Sequence, residues 1–159
     1  MYDFKIEAAD TPTMYADLAL ALQGLVDGEG DAIANMANAA ALLWETLPEI
    51  NWVGFYRNVD GELVLGPFQG RPACIRIKFG EGVCGVAAET RQVQRVADVN
   101  AFPSHIACDS ASASEIVVPL IRDGELIGVL DIDSPRLSRF TEEDEAGCVR
   151  LGEILSKVL

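Results

Sequence analysis

The sequence predicts an α+β fold, a mostly antiparallel central sheet with N- and C-terminal helices packed on one face. Three observations carry this. Apolar residues repeat at helical spacing near both ends of the chain, turn residues cut the middle into short β-rich segments, and the last two of those segments meet in a tight hairpin. At 159 residues the chain is long enough to bury a core without disulfide staples, and one domain over residues 1–159 is expected.

The elements follow in chain order. Thr11 and Pro12 suit an N-cap and a first helical residue, and Met14, Leu18, Leu22 and Leu25 repeat with a helical period. Gly28-Glu29-Gly30 ends that helix. Asp31 caps a second one, in which Ile33, Met36, Ala40, Leu43 and Leu47 form an apolar stripe that Pro48 stops. Asn51 to Arg57 reads as a strand with Trp52, Gly54 and Tyr56 on one face and Val53 and Phe55 on the other. Asp60-Gly61 turns it into Leu63–Leu65. A third strand over Ala73–Ile77 carries Cys74, Val83–Thr90 forms a short helix carrying Cys84, and Gln92–Val96 is a further strand. Asp98 to Ser114 is too rich in small and polar residues for a regular element, and a loop of that length in a compact domain usually has a function. Thr141 and Asp144 have capping-box spacing ahead of Cys148, Leu151, Leu155 and Val158, the stripe of a terminal helix.

The hairpin decides where three acids point. A three-residue turn at Arg122-Asp123-Gly124 sets Ile121 opposite Glu125 and Glu115 opposite Asp131, with Asp133 two residues on along the same face. A two-residue turn at Asp123-Gly124 sets Glu115 opposite Ile132 and breaks the cluster. The sequence permits both. For any one acid, solvation on an exposed sheet edge is the bland reading; three acids following a loop that carries Cys108 weaken it.

Composition narrows the partners. Half of the residues are hydrophobic, which is ordinary for a globular chain. No apolar run approaches the roughly 18 residues of a membrane span, and MYDFKIEAAD lacks the basic and apolar regions of a signal peptide, so a cytoplasmic protein is expected. A formal charge of −13, with 12 basic residues that form no continuous run, argues against nucleic acid. In a reducing compartment Cys74, Cys84, Cys108 and Cys148 point to redox chemistry, metal or core packing. Zinc held by His105, Cys108, Cys74 and Cys84 lacks the close ligand pairs usual in structural sites, and no metal or cofactor is expected. Trp52 and Tyr56 share a strand face and are core residues unless that face lines a pocket.

The segments NWVGFYR, LGPFQGRPACIRI, GEGVCGVAAET, ADVNAFPSHIACDSASASEIVVPL and GVLDIDSPRLSRF span most of the chain, with cysteines 10 and then 24 residues apart. In these the chain resembles the free methionine-(R)-sulfoxide reductases, which are GAF domains turned into enzymes. The resemblance implies a GAF-like fold and a role for each matching residue. Cys108 corresponds to the nucleophile, Cys74 to the principal resolving cysteine and Cys84 to an auxiliary thiol. Trp52 and Tyr56 correspond to aromatic walls around the methyl sulfoxide, and Glu115, Asp131 and Asp133 to polar ligands of the amino acid and its oxygen. It also implies regeneration by thioredoxin or a similar dithiol, and it leaves a homodimer open.

The chemistry needs such residues. A thiolate attacks the sulfoxide sulfur while the oxygen gains a proton and ends as water. Clustered carboxylates supply that proton because like charges at close quarters cannot all ionise. Anions that remain hold the substrate's ammonium, and aromatic faces suit a methyl and a polarised sulfur. Attack leaves a sulfenic acid on Cys108, which a second thiol condenses to a disulfide before overoxidation. Cys74 and Cys84 otherwise read as buried packing residues, and Cys148 keeps that reading. His105 either lowers the pKa of Cys108 or makes an ordinary hydrogen bond. The alternative class is a noncatalytic GAF module sensing a small molecule or redox state. Such sensors usually come with an output domain, and the chain shows none while carrying the full reactive set.

Overall fold

The computed structural model describes residues 5–7, 10–104 and 110–159. Two helices come first, α1 (Thr11–Val26) and α2 (Ala32–Thr46), each with an aspartate accepting from a first-turn backbone N–H. Asp31 caps α2 as expected. The cap of α1 is Asp10, not Thr11, because Asp10 is the extended residue whose carboxylate receives Thr13 N at 2.9 Å.

Six strands form one sheet: β1 (Trp52–Val59), β2 (Glu62–Gly70), β3 (Arg76–Lys78), β4 (Gln94–Val96), β5 (Ser114–Arg122) and β6 (Glu125–Ser134). Their order is β3-β2-β1-β6-β5-β4, and every ladder is antiparallel. Helix α3 (Gly82–Thr90) lies between β3 and β4 in sequence, and α4 (Glu142–Ser156) closes the fold behind the Thr141–Asp144 capping box. Among the described residues no helix is long and apolar enough to cross a membrane.

Alternation along the strands separates two cores. Val53 and Phe55 of β1, Ile116, Val118 and Leu120 of β5, and Leu130 and Ile132 of β6 pack against α1, α2 and α4. Trp52, Tyr56, Leu63, Ile77, Val117 and Val129 face the other way, toward Val83, Cys84, Ala87 and Ala88 of α3. Cys148 belongs to the first core, 3.7 Å from the Tyr15 hydroxyl, on the apolar stripe of the terminal helix.

Two local expectations are corrected, and the open choice of hairpin turn is decided. Cys74 precedes β3 instead of lying on it, since pairing with β2 begins only at Arg76. β2 continues past Leu65 to Gly70: two residues, Gly66 and Pro67, are accommodated opposite Phe55 as a bulge, so the glycine and proline bend the strand without ending it. The hairpin turn is the two-residue form, with Asp123 at φ 51° and Gly124 at φ 78°, the left-handed pair of a type I′ turn. Arg122 therefore pairs with Glu125. One step later β5 advances by one residue, Ile121 to Leu120, while β6 advances by two, Leu126 to Gly128, leaving Ile127 as a bulge. The bulge restores the alternation that the turn would have shifted. Glu115 then lies opposite Asp133 rather than Asp131, and Asp131 lies opposite Val117.

Candidate functional site

All three acids emerge on the sheet face that carries α3. On the other side of β6, Trp52 pairs with Asp133, Gly54 with Asp131 and Tyr56 with Val129, so β1 contributes its aromatic face to the same place. Gly54 is the close approach in this wall. A Cβ there would collide with the Cα and Cβ of Phe68 on β2, so only glycine lets Phe68 come near enough to stack on Trp52, with centroids 5.2 Å apart and planes 13° from parallel. Tyr56 continues the stack, 5.9 Å from Trp52.

Both polar ring tips are tied to one segment. Trp52 Nε1 donates to Arg71 O at 3.1 Å and the Tyr56 hydroxyl donates to Cys74 O at 3.0 Å. The aromatic wall thereby holds the backbone that carries Cys74, a half-buried residue that is disulfide-bonded. Cys84, on the first turn of α3, is a buried free thiol, and its Sγ donates to Glu115 Oε1 over 3.8 Å. Cys84, Glu115 and Asp131 offer one donor atom each within 4.8 Å of one another, all three residues buried. Asp133 is half-buried beside them. Cys108 and His105 lie outside the described residues.

Crowding acids into a buried space has a definite electrostatic result. Burial, then the charges of Asp131 and Asp133, push the Glu115 carboxyl well above the ordinary carboxylate range. Burial also raises Asp131, to about 6, although hydrogen bonds to Glu115 and Cys84 pull the other way. Both carboxyls are thus shifted toward the protonated form, as expected where like charges share a buried space. Burial and the same acids push the Cys84 thiol well up, so it stands as a neutral donor and not as a thiolate. Asp131 Oδ1 is buried with no hydrogen-bond partner among the described residues, which leaves an acceptor open to a ligand's N–H.

Seven of the sequence-predicted site residues, Cys74, Cys84, Trp52, Tyr56, Glu115, Asp131 and Asp133, therefore surround one region of the sheet. Phe68 is the member that residue-level reasoning missed. Its signal was hidden by Gly66-Pro67, which read as the end of a strand; the register of β2 against Trp52 and Gly54 was needed to find it. A donor set of one thiol and two carboxylates is compatible in principle with a divalent cation. The zinc set considered from sequence, which rests on His105 and Cys108, falls partly outside the described residues.

The sequence profile of the GAF domain matches residues 29–159. The chain belongs to the GAF-domain family. This GAF domain is 55% identical to a free methionine-R-sulfoxide reductase of Escherichia coli, over 91% of this chain and 88% of that protein. It is 44% identical to the Saccharomyces cerevisiae protein of the same name, over 88% of this chain and 82% of that one. Among solved structures, the X-ray structure of free methionine-R-sulfoxide reductase from Neisseria meningitidis in complex with its substrate superposes with a TM-score of 0.95. The two are 46% identical, and the match covers 99% of this chain and 95% of that chain.

Proposed function

We propose that this GAF domain is an oxidoreductase that reduces free methionine-(R)-sulfoxide to methionine. The observation that carries the proposal is the buried Glu115–Asp131 pair, set beside the free thiol of Cys84 on the sheet face that carries the stacked rings of Trp52 and Tyr56, where burial favours the protonated carboxyl. High identity to reductases of that name over nearly the whole chain supports the substrate.

In this reading the Cys108 thiolate attacks the sulfoxide sulfur. Glu115 protonates the oxygen as the sulfur–oxygen bond weakens, and Asp131 and Asp133 hold the substrate ammonium. Oxygen passes to Cys108 as a sulfenic acid while methionine sulfur is reduced by two electrons. The thiol of Cys74 then attacks the sulfenic sulfur, a disulfide forms and water leaves. That Cys74 is disulfide-bonded supports its assignment as the resolving residue. Cys84, neutral and hydrogen-bonded to Glu115, serves as an auxiliary thiol. Trp52 and Tyr56 pack on the methyl group; sulfur–aromatic contacts contribute about 0.3–1.5 kcal/mol each, a binding term. Two electrons from a dithiol donor of the thioredoxin class reopen the bridge, a reading that fits a cytoplasmic protein acting as one catalytic domain, alone or as a homodimer.

The test uses the separate sulfoxide epimers, free and peptide-bound. Only the free R epimer is expected to turn over, because a peptide lacks the ammonium that the acids grip. One equivalent without reductant should give a single intramolecular disulfide, seen as a two-proton mass loss. Cys108→Ser should abolish this, and Cys74→Ser should permit one turnover but no efficient cycling. Reduction by the Cys108→Ser protein, or binding without oxidation of any thiol, defeats the proposal.

A further inference from the structure

The proposed cycle ends with a disulfide that another protein must reach, and the surroundings of Cys74 are unlike the rest of the surface. Residues 71–78, RPACIRIK, carry three cations and no acid in a chain whose formal charge is −13. Arg71, Arg76 and Lys78 are all exposed. Arg76 is paired with Glu62 at 2.9 Å, while among the described residues no acid forms an ion pair with Arg71 or Lys78. Ile75, the residue after the cysteine, is 70% exposed, the largest value among the exposed large hydrophobic side chains. A single exposed isoleucine is ordinary. One beside a half-buried disulfide cysteine, among cations, on a chain that is otherwise acidic, is not.

Two further features fit an approaching protein. β3 is the outermost strand of the sheet, so its outer edge has no strand partner, and Arg76 and Lys78 stand on it while Ile77 points inward. The segment is also held in place before any partner arrives, through Trp52 Nε1 to Arg71 O, Tyr56 hydroxyl to Cys74 O, and Leu65 N to Ile75 O at 2.9 Å. Preorganised backbone lowers the cost of docking.

We infer that the Arg71–Lys78 edge is the docking surface for the protein dithiol that reopens the disulfide, a partner with an acidic surface and an apolar rim around its reactive thiol. This rests on the proposed thiol cycle. Ile75 enters the apolar rim, and Arg71, Arg76 and Lys78 attract an acidic partner to this edge while the remaining negative surface repels it. The partner's thiolate attacks the disulfide, forming a mixed disulfide and releasing one thiolate of this chain. The partner's second thiol then attacks the mixed disulfide, so that the partner leaves oxidised by two electrons and both cysteines here become thiols.

The experiment uses the full chain oxidised with diamide, which makes it independent of sulfoxide turnover. The oxidised chain is mixed with a thioredoxin whose second active-site cysteine is serine, and mixed-disulfide formation is timed against reduction by dithiothreitol. Ile75→Asp, and Arg71→Glu combined with Lys78→Glu, are each expected to slow the thioredoxin reaction about tenfold or more at low salt. Reduction by dithiothreitol should stay within about twofold of wild type, since steering acts on the protein partner alone. Raising salt should slow the wild type and speed the charge-reversed variant, since screening weakens attraction in the one and repulsion in the other. Unchanged thioredoxin rates overturn the inference, as does an equal loss with both reductants. So does a dimer of this chain that Ile75→Asp dissociates, because a second copy would then occupy the edge. If the variants behave as expected but the wild type fails to reduce free methionine-(R)-sulfoxide with dithiothreitol, docking stands and the enzymatic reading falls.

Discussion

In the proposed reaction Glu115 is the proton donor, and an acid can donate only if it still holds its proton at working pH. Burial and two neighbouring carboxylates favour that protonated form. Glu115→Gln retains the shape but has no acidic proton. The single-turnover rate of disulfide formation is expected to fall by about 10²–10⁴-fold with a smaller change in substrate affinity, measured by rapid quench. An unchanged rate would place the proton elsewhere. Tyr56 has two jobs that one substitution separates. Tyr56→Phe keeps the ring and loses the bond to Cys74 O, a term of about 1 kcal/mol. Formation of the sulfenic acid should be retained, while closure of the disulfide slows by about fivefold. Trapping with dimedone reads the difference, as more trapped acid than in wild type. The acids were legible in sequence because side chains alternate regularly along a strand. Phe68 was not, because its place depends on a bulge on a neighbouring strand.

At the scale of elements, the β5–β6 hairpin shows how a local rule and a distant requirement are reconciled. The Asp123-Gly124 turn has the backbone that a twisted two-residue hairpin demands, yet by itself it would turn the acids toward the helices. Ile127 absorbs the mismatch. Deleting Ile127 therefore removes one residue but reverses the facing of Asp131 and Asp133 and of Leu130 and Ile132 together. Loss of the cooperative unfolding transition is the expected outcome, monitored by circular dichroism during urea denaturation; a deletion variant that retains both transition and activity would show the bulge to be dispensable. Gly54 makes a similar point on β1. Gly54→Ala forces the added methyl against Phe68 backbone and should cost about 1–3 kcal/mol in urea unfolding, with weaker substrate binding as Phe68 leaves Trp52.

Across the whole molecule the same acids set the response to pH. Unfolded carboxyls titrate near about 4, whereas in the fold burial raises Asp131 to about 6 and, with its neighbours' charges, pushes Glu115 well above the ordinary carboxylate range. Between those limits the folded state binds more protons than the unfolded one. The contribution to stability is therefore complete below the unfolded values and is lost as pH rises through the folded ones. Asp144 has the opposite sign. Burial alone would raise it, but hydrogen bonding from Thr141, the Arg139 guanidinium and the Tyr15 hydroxyl hold it below the ordinary range, so its window lies at more acid pH. The melting temperature is expected to fall as pH rises from about 4 through about 6, with a shallower fall in Glu115→Gln; equal slopes would detach the effect from this cluster.

The sequence by itself determined the α+β class, the helix caps at Asp31 and Thr141, the facing of Trp52 and Tyr56, and the residue types that sulfoxide chemistry needs. Each depends on spacing of a few residues along one chain, where periodicity and side-chain chemistry are sufficient. Only the tertiary structure decided that Glu115 pairs with Asp133, that Phe68 joins the aromatic wall, that Cys84 hydrogen-bonds to Glu115, and that Cys74 stands at an exposed cationic edge. Those depend on bulges and on the packing of segments far apart in sequence, where one inserted residue changes every partner beyond it and no local pattern records the shift.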